Sequence, residues 1–78
     1  MNHQPMTEQE LLWKIAKRVK EIRENKGIPQ QDLAAQLEFD KSTMSRLESG
    51  KLNLRIGTLY KVSQALGITL SELVKVED

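Results

Sequence analysis

The sequence contains no cysteine, a single histidine and only three aromatic residues, and each shortage excludes a class of protein. Without cysteine the chain can form neither a disulfide framework nor a thiolate metal site. The one histidine, His3, lies near the N-terminus, where we expect no catalytic or metal-binding role. No apolar run approaches the roughly 20 residues of a membrane span, and no signal-peptide pattern is present. We therefore expect a cytoplasmic location.

The sequence also lacks the residue groups that catalysis requires. It has no paired carboxylates in a predicted pocket, no nucleophile beside a histidine and no glycine-rich phosphate loop, so we expect no catalytic residue, cofactor or metal. A chain of 78 residues has room for one domain, predicted over 1–78 with a core of about 8–74. Such a small core leaves little space for a deep substrate pocket. The sequence thus favours binding and argues against an enzyme.

What is present is a set of helix-terminal signals that predicts five helices. Three of the helices begin after a capping residue, namely Thr7, Asp40 and Thr69. Glu10 and Glu72 lie three residues after two of these caps and complete predicted capping boxes. Three helices end at a glycine, namely Gly27, Gly50 and Gly67. The second and third helices are predicted at about 30–37 and 41–49.

Apolar residues at helical spacing predict which helix faces pack inward. On the first helix they are Leu11, Leu12, Ile15, Val19 and Ile22. On the fourth helix they are Ile56, Leu59, Val62 and Leu66. No segment alternates with the period of two that a half-buried strand shows, so the sequence predicts an all-α fold.

The stretch 30–50 has the features of a helix-turn-helix. Two short helices flank a tight turn, and the small Ala34 allows the second helix to cross closely over the first. Phe39, Met44 and Leu47 are predicted to anchor this crossing. The side chains left on the outer face of the third helix form hydrogen bonds and carry little apolar surface: Lys41, Ser42, Ser45, Arg46 and Ser49.

The net charge is only +1, but basic residues are concentrated in two segments. Residues 14–26 hold six basic and two acidic side chains, and residues 41–61 hold five basic and one acidic, so each segment carries +4. If these charges share one surface, they form an electrostatic footprint for phosphate. For the first helix alone, a solvated helix face is the favoured interpretation.

Four runs together resemble the Cro/C1-type helix-turn-helix family, also called the xenobiotic-response-element family: 30–34, 41–51, 58–62 and 65–68. The resemblance covers roughly residues 11–74. It implies a five-helix, lambda-repressor-like domain that binds double-stranded DNA as a homodimer and regulates transcription. The loop 53–56 is also similar to that of restriction–modification controller proteins.

The resemblance implies a role for individual side chains. Lys41, Ser42 and Arg46 match positions that reach base edges. Positions that bind or lie near backbone phosphates are matched by Gln30, Thr43, Ser49 and Lys51. Ser45, on the same outer face, is also expected to bind a phosphate. Arg23 and Glu48 match an ion pair that ties the first helix to the third. Because guanidinium and ammonium groups suit guanine O6 and N7, Arg46 and Lys41 are expected to favour guanine.

Each of these roles has a structural alternative. Arg46 can be a surface charge paired with an acid, and Lys41 can be a solvated residue at a helix start. Gln30 can hydrogen-bond the N-terminus of its own helix, and the serines can be ordinary polar surface. For Glu48 an inward pair with Arg23 is favoured, because an exposed acid on a DNA-reading helix would repel phosphate.

Two residues depart from the family pattern. Glu38 stands where the family usually has glycine, so either the turn is strained by about 1 kcal/mol or the second helix runs slightly longer. Arg55 stands where a serine or threonine usually caps the fourth helix, and its charge opposes the helix dipole by roughly 0.3–1 kcal/mol. That cost has a purpose if Arg55 binds a phosphate. In the alternative, Asn53 caps the helix and Arg55 points to water.

Trp13 and Tyr60 lie off the apolar stripes of their helices and are the candidate dimer contacts. For Trp13 we favour packing against residues 74–76.

A rival function is an antitoxin-like module that binds a partner toxin and autoregulates its operon. Such a module usually needs extra chain to wrap its partner, and the segments flanking the predicted helices are short, so we favour the regulator. No small-molecule ligand is expected.

Overall fold

Five α-helices make up the part of the chain that the computed structural model describes, residues 5–77. They are α1 (Glu8–Asn25), α2 (Gln30–Leu37), α3 (Lys41–Glu48), α4 (Ile56–Leu66) and α5 (Leu70–Leu73). No strand occurs within residues 5–77, so the all-α prediction is confirmed. His3 lies outside the described residues. None of the five helices is long and apolar enough to cross a membrane.

Thr7 and Thr69 cap α1 and α5 as predicted, but only the first of the two predicted capping boxes is complete. The Thr7 hydroxyl accepts a hydrogen bond from the Glu10 N–H at 3.1 Å, and the Glu10 carboxylate accepts from the Thr7 N–H at 3.3 Å, which completes a capping box. Thr69 accepts from the Glu72 N–H in the same way. The Glu72 carboxylate, however, accepts a hydrogen bond from the Thr69 hydroxyl and not from the Thr69 N–H. Only half of the second predicted capping box therefore forms.

Asp40 begins α3 as predicted. Its carboxylate accepts a hydrogen bond from the Thr43 N–H at 2.7 Å. Hydrogen bonding from Thr43, led by this N–H, lowers the pKa of Asp40 below its ordinary value, and the charge of Arg46 adds a smaller effect in the same direction. The cap therefore stays ionised until the solution is distinctly acidic.

One apolar core joins the helices and positions α2 and α3 against each other. Its buried members are Ile15, Val19, Leu33, Ala34, Met44, Leu47, Leu59, Val62, Leu66 and Leu73. Leu11 and Ile56, which were predicted to face inward, are exposed instead. Both lie near the N-terminus of a helix whose buried residues begin three or four positions later, so these first turns extend beyond the core.

The turn between α2 and α3 has the strained backbone at Glu38, which is the first of the two conformations that the sequence left open. Glu38 has φ 58° and ψ 36°, the left-handed conformation that favours glycine. The Phe39 N–H donates to the Ala34 carbonyl at 2.9 Å and the Glu38 N–H to the Ala35 carbonyl at 3.2 Å, which is the bonding pattern of a Schellman cap. Helix α2 does not run longer; it ends at Leu37 as predicted.

Replacing Glu38 with glycine is expected to raise the free energy of unfolding by about 1 kcal/mol, because glycine adopts the left-handed conformation without a steric penalty. Urea denaturation followed by circular dichroism measures the change. Glu38→Ala is the matched control: it removes the carboxylate but keeps the β-carbon, so it should give little of the gain. Equal stabilisation by both variants would show that the side-chain charge, and not backbone strain, is the cause.

Candidate nucleic-acid interface

The outer face of α3 is a continuous polar surface. All of its predicted outward residues are exposed, namely Lys41, Ser42, Ser45, Arg46 and Ser49. At 3.6 residues per turn these five side chains fall within an arc of about 140°. Met44 and Leu47, which are buried in the core, lie on the opposite side of the helix. The protein's own core therefore leaves this polar face open.

The size and chemistry of this face suit a DNA groove. A helix with its side chains is about 10–12 Å wide, and the major groove of B-DNA is about 12 Å wide. The face carries one ammonium, one guanidinium and three hydroxyl groups, all of which can bond to base edges or phosphates. It carries no carboxylate, because Glu48 points into the protein.

Arg46 is not paired with an acid in the way that the structural alternative required. Within residues 5–77, the carboxylates that lie within 4.0 Å of a basic group are those of Glu24 and Glu48, and both face Arg23. The Arg46 guanidinium is therefore left available to an external partner. Lys41 is also exposed, at the first position of α3.

The hydroxyl groups of α3 differ in exposure and in whether they already form a hydrogen bond within the protein. Ser42 and Ser45 are exposed, and no hydrogen bond within residues 5–77 engages their side chains. The Ser49 hydroxyl donates to the Arg46 carbonyl at 3.3 Å, so it must rotate before it can donate to a phosphate. Thr43 is half-buried, and its backbone N–H is bonded to the Asp40 cap.

Arg23 and Glu48 form a buried, bidentate ion pair between α1 and α3. The Arg23 Nε donates to Glu48 Oε2 at 2.6 Å and its Nη2 to Oε1 at 3.1 Å, while Nη1 donates to the Ile28 carbonyl at 2.7 Å. The Glu48 side chain is only 4% exposed. The hydrogen bond with Glu48 is the main cause that raises the pKa of Arg23 above its ordinary value.

Gln30 is bonded to this same pair. Its Nε2 donates to Glu48 Oε1 at 3.0 Å, so its partner lies on α3. The alternative, in which Gln30 hydrogen-bonds the N-terminus of its own helix, is not what the structure shows. Sequence reasoning missed this contact, because the two residues are 18 positions apart and no local pattern signals it. Gln30 also lines a shallow groove between α2 and α3 together with Lys41.

Two further exposed cations, Lys51 and Arg55, follow α3 in the sequence. Lys51 follows α3 and is exposed, and its backbone N–H donates to the Arg46 carbonyl at 2.9 Å. Arg55 is the N-terminal capping residue of α4, and it is exposed. No side chain within residues 5–77 caps this helix, so the alternative in which Asn53 does so is wrong. The reason lies in the backbone: Asn53 precedes the first helical residue, Ile56, by three positions, whereas the capping position is the one immediately before that residue.

The candidate dimer contacts lie on two different helices. Trp13 on α1 is half exposed; the Lys17 ammonium lies 5.2 Å from the centre of its ring, and Val76 lines the same shallow groove. Tyr60 on α4 is also half exposed. One helical turn before it lies Ile56, 67% exposed, which sequence reasoning assigned to the core. Ile56 and Tyr60 together form an apolar patch that the described part of the chain leaves exposed.

The chain is similar to a helix-turn-helix family model and to two controller proteins. A family model described as Helix-turn-helix, HTH_3, matches residues 19–73. Control protein C.MunI from Mycoplasma is 39% identical over 61 residues, which cover 77% of this chain and 82% of that protein. The crystal structure of the restriction–modification controller protein C.AhdI from Aeromonas hydrophila has a TM-score of 0.74 at 33% identity. That match covers 82% of this chain and 96% of that one.

Proposed function

This chain belongs to the helix-turn-helix family HTH_3, and from that membership we propose that it regulates transcription by placing α3 in the major groove of double-stranded DNA. The membership confirms the resemblance drawn from the sequence. The observation that carries the proposal is the open polar face of α3, which bears Lys41 and Arg46 and no acid. The names of two relatives, a control protein and a restriction–modification controller protein, support a controller-like regulator.

The proposed mechanism is equilibrium binding without chemistry. Lys41, Ser42 and Arg46 contact base edges and discriminate between sequences. Contacts to backbone phosphates supply affinity and orientation but carry no sequence information. We assign that second role to Gln30, Thr43, Ser45, Ser49, Lys51 and Arg55. The protein would act in the cytoplasm, on the bacterial nucleoid.

A homodimer on a palindromic operator follows from the size of this interface. One α3 offers few base contacts, so two copies related by a twofold axis would read half-sites about 10 base pairs apart, centre to centre. The patch of Ile56 and Tyr60 is the stronger candidate for the dimer contact, because both residues are exposed and apolar on one face of α4. Trp13 is the weaker one, because Lys17 lies over its ring.

Selection of bound duplexes from a random pool tests the assignment of the base-reading residues. Arg46→Ala and Lys41→Ala are each expected to lose preference at one or two symmetric positions, since a good bidentate contact discriminates by about 1–3 kcal/mol. Lys75→Ala is the matched control, because Lys75 is exposed and follows α5, which packs on α1 and α4. Unchanged preference in the two α3 variants would refute the assignment.

The dependence of affinity on salt tests the proposed phosphate contact of Arg55. Each phosphate neutralised by a cation contributes about −0.9 to the slope of log affinity against log salt concentration. Because the proposed dimer carries two copies of Arg55, Arg55→Ala should make the slope shallower by about 2, and Lys75→Ala should leave it unchanged. A slope equal to that of the unmodified protein would show that Arg55 points to water in the complex.

A further inference from the structure

We propose that Glu48 is a positioning residue for DNA binding: it orients the side-chain amide of Gln30 so that one N–H of that amide faces a backbone phosphate. The proposal rests on the function proposed above and deepens it. It assigns to the buried Arg23–Glu48 pair a role beyond tying α1 to α3.

The chemistry of the contact determines which end of the amide faces inward. An ionised carboxylate only accepts hydrogen bonds, so Gln30 must present Nε2, and not its oxygen, to Glu48. The carboxylate cannot follow a moving glutamine, because Arg23 holds both of its oxygens and the Ile28 carbonyl holds Arg23. The anchor is therefore rigid, and the amide is held against it.

What remains of the Gln30 amide suits the phosphate backbone. Its Nε2 carries two hydrogens, and only one is used by Glu48. The second N–H can donate to a phosphate oxygen. The amide oxygen can accept from an ammonium, and Lys41 lines the same groove. An amide free to rotate would instead present its oxygen to the phosphate part of the time, and two acceptors facing each other repel.

The position of Glu48 makes this arrangement compatible with DNA. Its side chain is 4% exposed and its charge is compensated by Arg23, so it does not repel the phosphates that the surrounding cations attract. Gln30 is half-buried and lies at the first position of α2. It therefore connects a buried, neutralised ion pair to the surface beside α3.

A double-mutant cycle on DNA affinity tests the proposal. Gln30→Ala should weaken binding about tenfold on both a selected and an unrelated duplex, with the salt slope unchanged because glutamine carries no charge. Glu48→Gln offers one acceptor oxygen in place of two, and Arg23 competes for it, so this variant should weaken binding by a similar factor. In the Gln30→Ala background, Glu48→Gln should have little further effect. Affinities are referred to the folded fraction, measured by circular dichroism.

The possible outcomes separate the two proposals. If Glu48→Gln weakens binding by the same factor in the presence and absence of the Gln30 amide, Glu48 acts only through the packing of α3, and the positioning role is wrong. If the unmodified protein binds no duplex, the proposed function itself fails, and this is seen before any variant is made.

A measurement on the unmodified protein tests the same idea without a destabilising substitution. Side-chain amide ¹⁵N relaxation of Gln30 is compared with that of Gln31 and Gln36, two exposed glutamines of the same helix. We expect the Gln30 amide to be rigid and the other two to be mobile. Equal mobility of the three amides would overturn the proposal.

Discussion

Replacing Glu48 with alanine is expected to lower the free energy of unfolding by about 3–5 kcal/mol, as for other buried ion pairs that lose one partner. The variant leaves the buried Arg23 guanidinium with the Ile28 carbonyl as its remaining strong partner. Arginine cannot escape this cost by releasing its proton, because a guanidinium stays protonated in proteins even without an acidic partner. Urea denaturation at neutral pH measures the loss.

The neighbouring Glu24 supplies the matched control. Its carboxylate lies 4.0 Å from Nη2 of the same Arg23, but its side chain is 57% exposed, so Glu24→Ala should change stability by no more than about 1 kcal/mol. The two variants remove the same charge from near the same guanidinium, but only Glu48 is buried and hydrogen-bonded to it. Similar losses for both would mean that burial and the bidentate hydrogen bonds add nothing to this pair.

Replacing Gly50 with alanine is expected to lower the free energy of unfolding by about 2–5 kcal/mol, from two additive causes. Gly50 has φ +75°, where a β-carbon costs about 1–2 kcal/mol. The added carbon would also lie 2.9 Å from the Trp13 Cα, so the backbone of α1 would have to move. Overpacking of that kind costs about 1–3 kcal/mol. Thermal and urea denaturation measure the effect.

Gly67→Ala separates these two causes. Gly67 has a similar φ of +72°, but the nearest atom to its added carbon is the flexible Lys26 ammonium at 3.9 Å. It should therefore show the conformational cost alone, about 1–2 kcal/mol. The excess loss in Gly50→Ala measures how tightly the end of α3 packs on α1, where Gln9 also donates to the Gly50 carbonyl at 3.0 Å. Equal losses of stability in Gly50→Ala and Gly67→Ala would show that the approach of the added carbon to Trp13 costs no free energy.

For a chain of this length the Glu48 and Gly50 effects are large. At about 0.05–0.15 kcal/mol per residue, 78 residues correspond to a total stability of roughly 4–12 kcal/mol. Either substitution would remove a large share of it. Both act at the junction of α1 and α3, so the placement of the proposed DNA-reading helix depends on this junction.

The sequence by itself determined the helix boundaries and the open face of α3. Thr7, Asp40 and Gly67 act on backbone groups only a few positions away, so their effect is local and can be read from the order of residues. The polar face of α3 follows from helical periodicity alone, since Met44 and Leu47 must face the core.

Only the tertiary structure decided which distant side chains meet. It bonds Gln30 to Glu48, sets Gly50 against Trp13 and leaves Ile56 outside the core. The physical reason is that such contacts depend on the angle and depth at which helices pack, which are properties of the whole core. The turn at Glu38 belongs here too, because the sequence left two conformations open and the crossing of α2 and α3 selected the strained one.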